Sequence, residues 1–325
     1  MPETAGKSIS LWRNAAPSSA GPASGSPGAS ALPASGSFNP SFLFPSGRQA
    51  LSFALKKLGM GRAKQVAIPE WSSQCVINAV GAYATPISMK DVLAHGIQPD
   101  AILLYEQWGW PAPKGCTELV QQKFNCPIIL DKVDSPIFDG TKGAAAEIWS
   151  LSKALGLTGG GMAKIGGNFA EFKDDEGHIS AYGRLSPDES SPHASHILKT
   201  DVAVVPKSVK EFVQKNGVEG PFSAEHKARR ENLANMLQSH AQGYPEWMAA
   251  AHKAGAAPGI FPLYRGKQDD FLTAEKARIA AHGIATEIYH FNFTGDPLQP
   301  KYEKCLAFPI HGMITPGAIK DALKQ

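Results

Sequence analysis

Residues 101–131 read AILLYEQWGWPAPKGCTELVQQKFNCPIILD, and this stretch decides the fold. Ala101-Ile-Leu-Leu-Tyr105 is an apolar run without alternation, the pattern of a strand buried on both faces. Cys116 to Phe124 has the mixed polarity of a surface helix. Pro127-Ile-Ile-Leu130 is a second buried strand, and it ends on a carboxylate, Asp131. Strand, helix and strand in this order make the crossover unit of a parallel sheet.

The same alternation continues on both sides. Gln49 to Leu58 is expected to be helical, with Leu51, Ala54, Leu55 and Leu58 on one face and Gly59 to end it. Gln65-Val-Ala-Ile68 is a strand closed by Pro69, Val76 to Tyr83 a helix, and Pro86-Ile-Ser-Met89 a strand. After about Pro221 the texture changes to a long polar helix (Ser223 to His240) and a strand (Gly259 to Tyr264). A helix (Thr273 to Ala281), a strand (Ala285 to Tyr289) and a last helix opened by Thr315-Pro316 follow. The expected architecture is α/β. A mostly parallel central sheet flanked by helices spans 41–222, and a smaller α+β domain spans 223–325. From Ala15 to Ser37 every residue except Leu32 is Ala, Pro, Ser or Gly. Such a segment buries too little apolar area to offset its ordering entropy, so 1–40 reads as a flexible leader and the fold as starting near Phe42.

Composition narrows the function. A formal net charge of +3 is too small to argue for nucleic acid or a membrane surface. The one dense basic stretch, Lys227-Ala-Arg229-Arg230, reads as the solvated face of a helix. Cys75, Cys116, Cys126 and Cys305 are scattered without a CxxC pair, so they read as buried reduced thiols, with no metal site. No apolar run approaches the roughly 18 residues of a membrane helix. No apolar core follows Lys7 and Arg13, as a secretory signal would require. A cytoplasmic enzyme without nucleic-acid or membrane partners is the expectation.

Ligands of open α/β sheets sit beyond the carboxyl ends of strands, and Asp131 and Ser150 both stand there. Lys153 follows the hydroxyls of Ser150 and Ser152 and precedes Gly156 and Gly159-Gly-Gly161. Hydroxyls and free N–H groups at a tight turn suit a phosphate, and glycines let a backbone pass close to a cofactor. Asp131, costly to bury unpaired, suits a protonated ring nitrogen; the lesser reading is a cap of the next segment. Ser46-Gly47-Arg48-Gln49 opens a helix whose N-terminus can take an anion, with Arg48 adding a charge-assisted contact. Trp71 stands at a strand end where a ring can lie flat, or it is a core tryptophan. Asp134 stands where it can reach a phenolic oxygen. An amine, an anion, a phosphate cradle, an aromatic wall and a phenol partner are together what pyridoxal 5'-phosphate (PLP) asks of a protein.

These residues also carry a family resemblance. "PSGRQALSFALKKLGMGRAKQVAIPEWSSQCVINAVGAYATP" looks like the cradle helix, strand and "P-x-[FW]-T-x-x-A-T-x-N-A-V" segment of the DegT/DnrJ/StrS family of fold type I PLP enzymes, the sugar aminotransferases. "LYEQWGWPA" resembles its "H-L-Y-G-Q-P-A" turn, "CPIILDKVDS" its "P-V-I-E-D-A-A-Q" strand, and "YEKCLAFPIHGMITPGAIKDALK" its "C-L-S-L-P-I-H-P" ending. The resemblance implies that Lys153 holds PLP as a Schiff base and Asp131 pairs the pyridine nitrogen. Gly47, Arg48, Gln49 and Ser150 then hold the phosphate, and Trp71 and Asp134 complete the cofactor site. In many family members the stacking aromatic falls two residues later, where this chain has Ser73. Relatives with histidine in place of the lysine dehydrate, so Lys153 implies aminotransfer.

The resemblance further implies a small-molecule amino donor, a keto acceptor of the nucleotide-linked sugar kind, and a homodimer. His290 and Arg265 are the candidate substrate residues; His290, like His311, reads more readily as an ordinary strand-end or loop histidine, and Arg265 equally as a solvated side chain. The family's "G-x-N-x-R" segment is not recognisable between Ser186 and Pro221, Asp134 stands where glutamine is usual, and Lys132 replaces a small residue. Two other readings stay open: a non-catalytic relative that keeps the fold for binding or regulation, and another PLP reaction such as a lyase or decarboxylase.

Overall fold

Seven short strands, each ended by a turn residue or a helix cap, make one sheet in the order β2-β1-β3-β4-β5-β6-β7. The computed structural model describes residues 9–12, 39–138, 140–172, 204–239 and 244–324. The strands are β1 (Gln65–Ile68), β2 (Thr85–Ser88), β3 (Ala101–Tyr105), β4 (Ile128–Asp131), β5 (Ala146–Ser150), β6 (Gly161–Ile165) and β7 (Asn168–Phe169). β1 to β5 run parallel, whereas β6 and β7 return antiparallel at one edge. All four residues of β4 and all five of β5 are buried, as central strands covered on both faces require.

The intervening helices are α1 (Gly47–Lys57), α2 (Gln74–Gly81), α3 (Met89–His95), α4 (Cys116–Phe124) and α5 (Leu151–Leu155). Ser46 caps α1 by accepting the Gln49 N–H at 3.3 Å, and Gly156, in the left-handed region, ends α5 after five residues. The parallel order has a direct consequence for function. It sets Tyr105 opposite Asp131 in register and delivers Asp131 and Ser150 from neighbouring strands to the same edge of the sheet.

The second half of the chain adds α6 (Lys207–Asn216), α7 (Glu219–Ser239), α8 (Glu246–Lys253), β8 (Ile260–Leu263), α9 (Asp269–Ala280), β9 (Glu287–Asn292), β10 (Tyr302–Pro309) and α10 (Pro316–Leu323). β8, β10 and β9 form a small antiparallel sheet with β10 in the middle. Thr315 caps α10 through the Ala318 N–H, and Pro316 takes its first turn. Its core gathers Phe261, Phe291, Phe293 and Phe308, each no more than 1% exposed. α7 begins before the expected boundary at 222/223 and packs on α5 as well as on α8 and α10, so it belongs to both lobes.

Two expectations need correction. The fold starts before Phe42: Ile9 bridges to Ile284, its N–H donating to Gly283 O at 2.6 Å and its carbonyl accepting from Ala285 N at 2.8 Å. Leu11 is buried in the small-lobe core. A four-residue anchor this short has no periodicity to read. The Ala/Pro/Ser/Gly stretch itself lies outside the described residues. The basic stretch 227–230 is not simply a solvated face. Arg229 is 1% exposed, because its guanidinium is fully paired inside the molecule.

Candidate active site

Lys153 sits in the single turn of α5, just beyond the end of β5. Its side chain is 38% exposed, and its Nζ lies 3.5 Å from Asp134 Oδ1, a carboxylate only 3% exposed. Burial pulls the Lys153 ammonium down, but Asp134, Cys75 and Asp131 outweigh it and hold the pKa above the ordinary lysine value. Unliganded, the amine is a held cation rather than a free nucleophile.

Asp131 ends β4 with its side chain 3% exposed, accepting the Val133 N–H at 3.2 Å. Burial pushes its carboxyl up to about 6, against the pull of Lys153 and with a further push from Asp134. Asp134 follows in the turn after β4. Tyr105 donates its phenol to Asp134 Oδ2 and takes the Trp108 N–H at 3.3 Å. Asp134 Oδ1 is buried and accepts no hydrogen bond from the described residues. Burial and Asp134 together push the Tyr105 phenol well above its usual range, so it stays a donor.

The cradle is built from the backbone. A Cβ on Gly47 would stand 3.2 Å from Ser150 Cβ and 3.2 Å from Val133 Cγ1, so the first residue of α1 lies directly on the strand end that carries Ser150. Ser150 and Ser152 share a hydrogen bond of 2.9 Å between their hydroxyls. The glycine turn holds α1 in place. Gly160 N donates to Pro45 O at 2.8 Å, and Gly161 exchanges two backbone bonds with Phe44. A Cβ on Gly161 would fall 2.4 Å from the Ser46 carbonyl. Gln49 contributes its N–H to the Ser46 hydroxyl and is itself buried, whereas Arg48 is half-buried at the helix start.

Three of the expected residues are engaged with partners inside the chain. Trp71 stacks face to face on His290, ring centroids 3.8 Å apart at 9°. It lines a separate hollow with Tyr105, Gln107, Trp110 and Tyr302. Burial and Lys304 lower the His290 pKa, so the ring is a neutral stacking partner at neutral pH. Arg265 is committed within the chain. Its guanidinium makes a two-pronged pair with Glu303 at 2.8 and 3.0 Å and lies 4.7 Å from the Phe293 ring centre. Glu303 is held at about 2 by that pairing. Lys132 points to the other side of β4 from the lysine cluster, forming a buried ion pair with Glu147 at 3.2 Å. There burial raises Glu106 to about 7 despite the nearby Lys132.

Sequence reading missed Arg229 and Trp12. Arg229 donates to Asp134 O at 2.6 Å and to Ala154 O at 3.2 Å, and pairs with Glu225 at 2.7 Å, bracing the residues on either side of the lysine pair. The Trp12 ring lies 4.9 Å from Lys153 Nζ. Tyr105 was legible as the polar aromatic end of an apolar strand, but neither other residue carries a local signal. Cys75 is half-buried rather than buried, with its Sγ 3.0 Å from the Ser73 hydroxyl.

The fold is similar to that of solved aminotransferases. Residues 36–166 match a family model described as "Putative PLP-dependent aminotransferase". Among solved structures, a DegT DnrJ EryC1 StrS aminotransferase from Brucella abortus superposes with a TM-score of 0.58 at 16% identity, covering 86% of this chain and 83% of that one. The aminotransferase TlmJ from Streptoalloteichus hindustanus gives 0.54 at 14% identity, over 87% and 86%. NtdA from Bacillus subtilis, solved with bound cofactor PMP, gives 0.54 at 15% identity, over 87% and 73%. No curated protein matches the chain.

Proposed function

We propose that the chain is a PLP-dependent aminotransferase, moving an amino group from an amino acid donor to a keto acceptor. One observation carries the reading: the Lys153 amine is paired with the buried Asp134 carboxylate and feels the charge of the buried Asp131, at the strand end that also presents Gly47 and Ser150. The residues fit the cofactor on grounds of their own. The Gly47 contact leaves α1 resting on the paired serine hydroxyls, a cradle suited to a phosphate. Asp131 is a buried anion with a single backbone donor, suited to a pyridinium N–H. Asp134 Oδ1 is buried with the Lys153 ammonium 3.5 Å away.

When bound, PLP supplies an electron sink that makes the carbon-bound proton of an amino acid donor acidic. The chain's residues do the rest. Asp131 would offer the pyridine nitrogen a buried carboxylate and so keep it protonated. Lys153 Nζ would take the proton from the donor carbon, and Asp134 would hold that amine in place. Tyr105 fixes Asp134 by its phenol, and Arg229 fixes the backbone on which Asp134 and Ala154 sit.

The large unit is proposed to span 41–222 and the small one 223–325. The analogy with sugar aminotransferases makes a nucleotide-linked keto sugar the proposed acceptor. A cytoplasmic homodimer completes the proposal, and no described helix is long and apolar enough to cross a membrane. His290, engaged with Trp71, and Arg265, engaged with Glu303, would have to exchange these partners to meet a substrate.

The test is the purified protein with added PLP. It should show a visible absorbance band that survives dialysis, is absent in Lys153→Ala, and bleaches when amino acid donors are added without acceptor. Sedimentation of the same sample should give twice the 34.6 kDa chain mass. A colourless protein refutes the cofactor; a stable band that no donor bleaches favours the non-catalytic relative. Product released from amino acid alone marks a lyase or decarboxylase.

A further inference from the structure

The site just described lacks one wall. Trp71, the aromatic offered for stacking, is engaged by His290, and the position two residues on is Ser73. The missing surface comes from the other end of the chain. We infer that Ile9–Trp12 is a built part of the active site, and that the Trp12 indole is the aromatic wall beside the Lys153 amine and the cofactor ring it takes.

Three observations place it there. The arm is tied down: Ile9 makes both backbone bonds of its bridge to the small lobe, and Leu11 is buried. His311, itself buried, has its Nε2 2.9 Å from Ser10 O while its Nδ1 accepts the Met313 N–H at 3.4 Å, so its ring ties the residue between Ile9 and Leu11 to the turn after β10. The arm then delivers Trp12 into one small hollow lined with Asp134, Lys153, Arg229 and His311.

The contact has the right chemistry. The indole face, rich in electron density, lies 4.9 Å from the lysine nitrogen, within the range of a cation–π interaction. An aromatic ring carried on that nitrogen would need to stand within the roughly 4.5–7 Å centroid separation at which ring pairs attract. Trp12 is half-buried, so its outer edge remains available to a ligand. The indole thus steadies the amine when it is charged and offers a flat apolar surface when it is not. It would favour a planar aromatic cofactor over an aliphatic aldehyde.

This inference rests on the proposed PLP chemistry, and the experiment separates the two. Full-length wild type, Trp12→Ala and Trp12→Phe are compared. In the first arm, cofactor-free protein is treated with acetic anhydride, and the Lys153 peptide is quantified by mass spectrometry relative to exposed Lys123. Trp12→Ala should raise Lys153 acetylation severalfold, and Trp12→Phe should stay near wild type. In the second arm, the PLP dissociation constant should rise about two- to tenfold in Trp12→Ala, the range of one aromatic contact, and recover in Trp12→Phe. Unchanged Lys153 acetylation in a folded Trp12→Ala overturns the placement, whether or not PLP binds. Unchanged or tighter PLP binding overturns the wall and makes the arm a bystander or a plug. A wild type that takes no PLP refutes the proposed function and with it the cofactor half of this inference, while the acetylation ratio still decides whether Trp12 covers Lys153.

Discussion

Asp131 is kept where its charge is costly, and this has a measurable sign. Its folded value of about 6 stands above the ordinary 3.8, so between these two pH values the folded chain keeps a proton the unfolded chain has lost. The stability that this group contributes is therefore fully present below the ordinary value and is lost as pH rises through about 6. A gap of about two units corresponds to roughly 3 kcal/mol of penalty at pH 8. Asp131→Asn removes the charge and keeps an acceptor for the Val133 N–H. The cofactor-free variant should be more stable than wild type by about 2–3 kcal/mol at pH 8. The two should converge near pH 4, while PLP retention falls. Denaturant melts at both pH values check this. A variant less stable than wild type at pH 8 would show that Asp131 is stabilised as an anion by something other than a ligand. The arrangement sacrifices stability at the residue that the proposed mechanism needs charged.

At the scale of elements, the cradle depends on the seam between β6 and the start of α1. Gly161 is the tightest point, since a methyl there would stand 2.4 Å from both C and O of Ser46. Neither neighbour is a flexible side-chain end, so the backbone must part. Gly161→Ala should cost roughly 3 kcal/mol or more and weaken PLP binding. Gly61→Ala, with nothing within 4 Å, should stay within about 0.5 kcal/mol of wild type. A Gly161→Ala protein with the wild-type melting midpoint would dissolve the seam argument.

Elements of this kind were well legible in the sequence. β1, β3 and α4 begin and end at the expected residues, because apolar runs closed by proline or glycine leave little freedom. The places of Asp131, Ser150 and Lys153 at or just beyond strand ends were legible too, since the chain marks its strand ends with polar residues. The purpose of Gly159–Gly161 was not. A glycine's tolerance of close approach is written in the sequence, but the partner that approaches is not, and here it is the Ser46 backbone. β10 escaped notice because Tyr302 to Lys304 are polar or half-buried, and only its second half has an apolar run.

For the molecule as a whole, the lobes are joined at the site by α7, and Arg229 is the clearest joint. Its guanidinium reaches Asp134 O and Ala154 O in the large lobe. Its partner Glu225 accepts the Gly312 N–H of the small lobe at 3.0 Å. In sequence it is one charge among several on a polar helix, and only tertiary contact distinguishes it from Arg230. Long-range pairings of this sort, 75 and 95 residues apart, leave no local pattern. The joint can be tested by removing half of it and then all of it. Arg229→Met leaves Glu225 as a buried charge without its cation, at a cost of about 3–5 kcal/mol. The double variant Arg229→Met with Glu225→Leu removes the stranded charge, and replacing a buried pair by apolar side chains is often close to neutral. It should therefore recover most of the lost stability. It should not recover tight PLP binding, because two carbonyls beside the lysine and the Gly312 N–H are still without their partners. Urea melts of both variants, paired with the PLP dissociation constant, separate the two effects. If binding returned together with stability, Arg229 would only hold the lobes together. If stability alone returned, it would also set the positions of Asp134 and Lys153, and the buried pair would be retained for the site rather than for the fold.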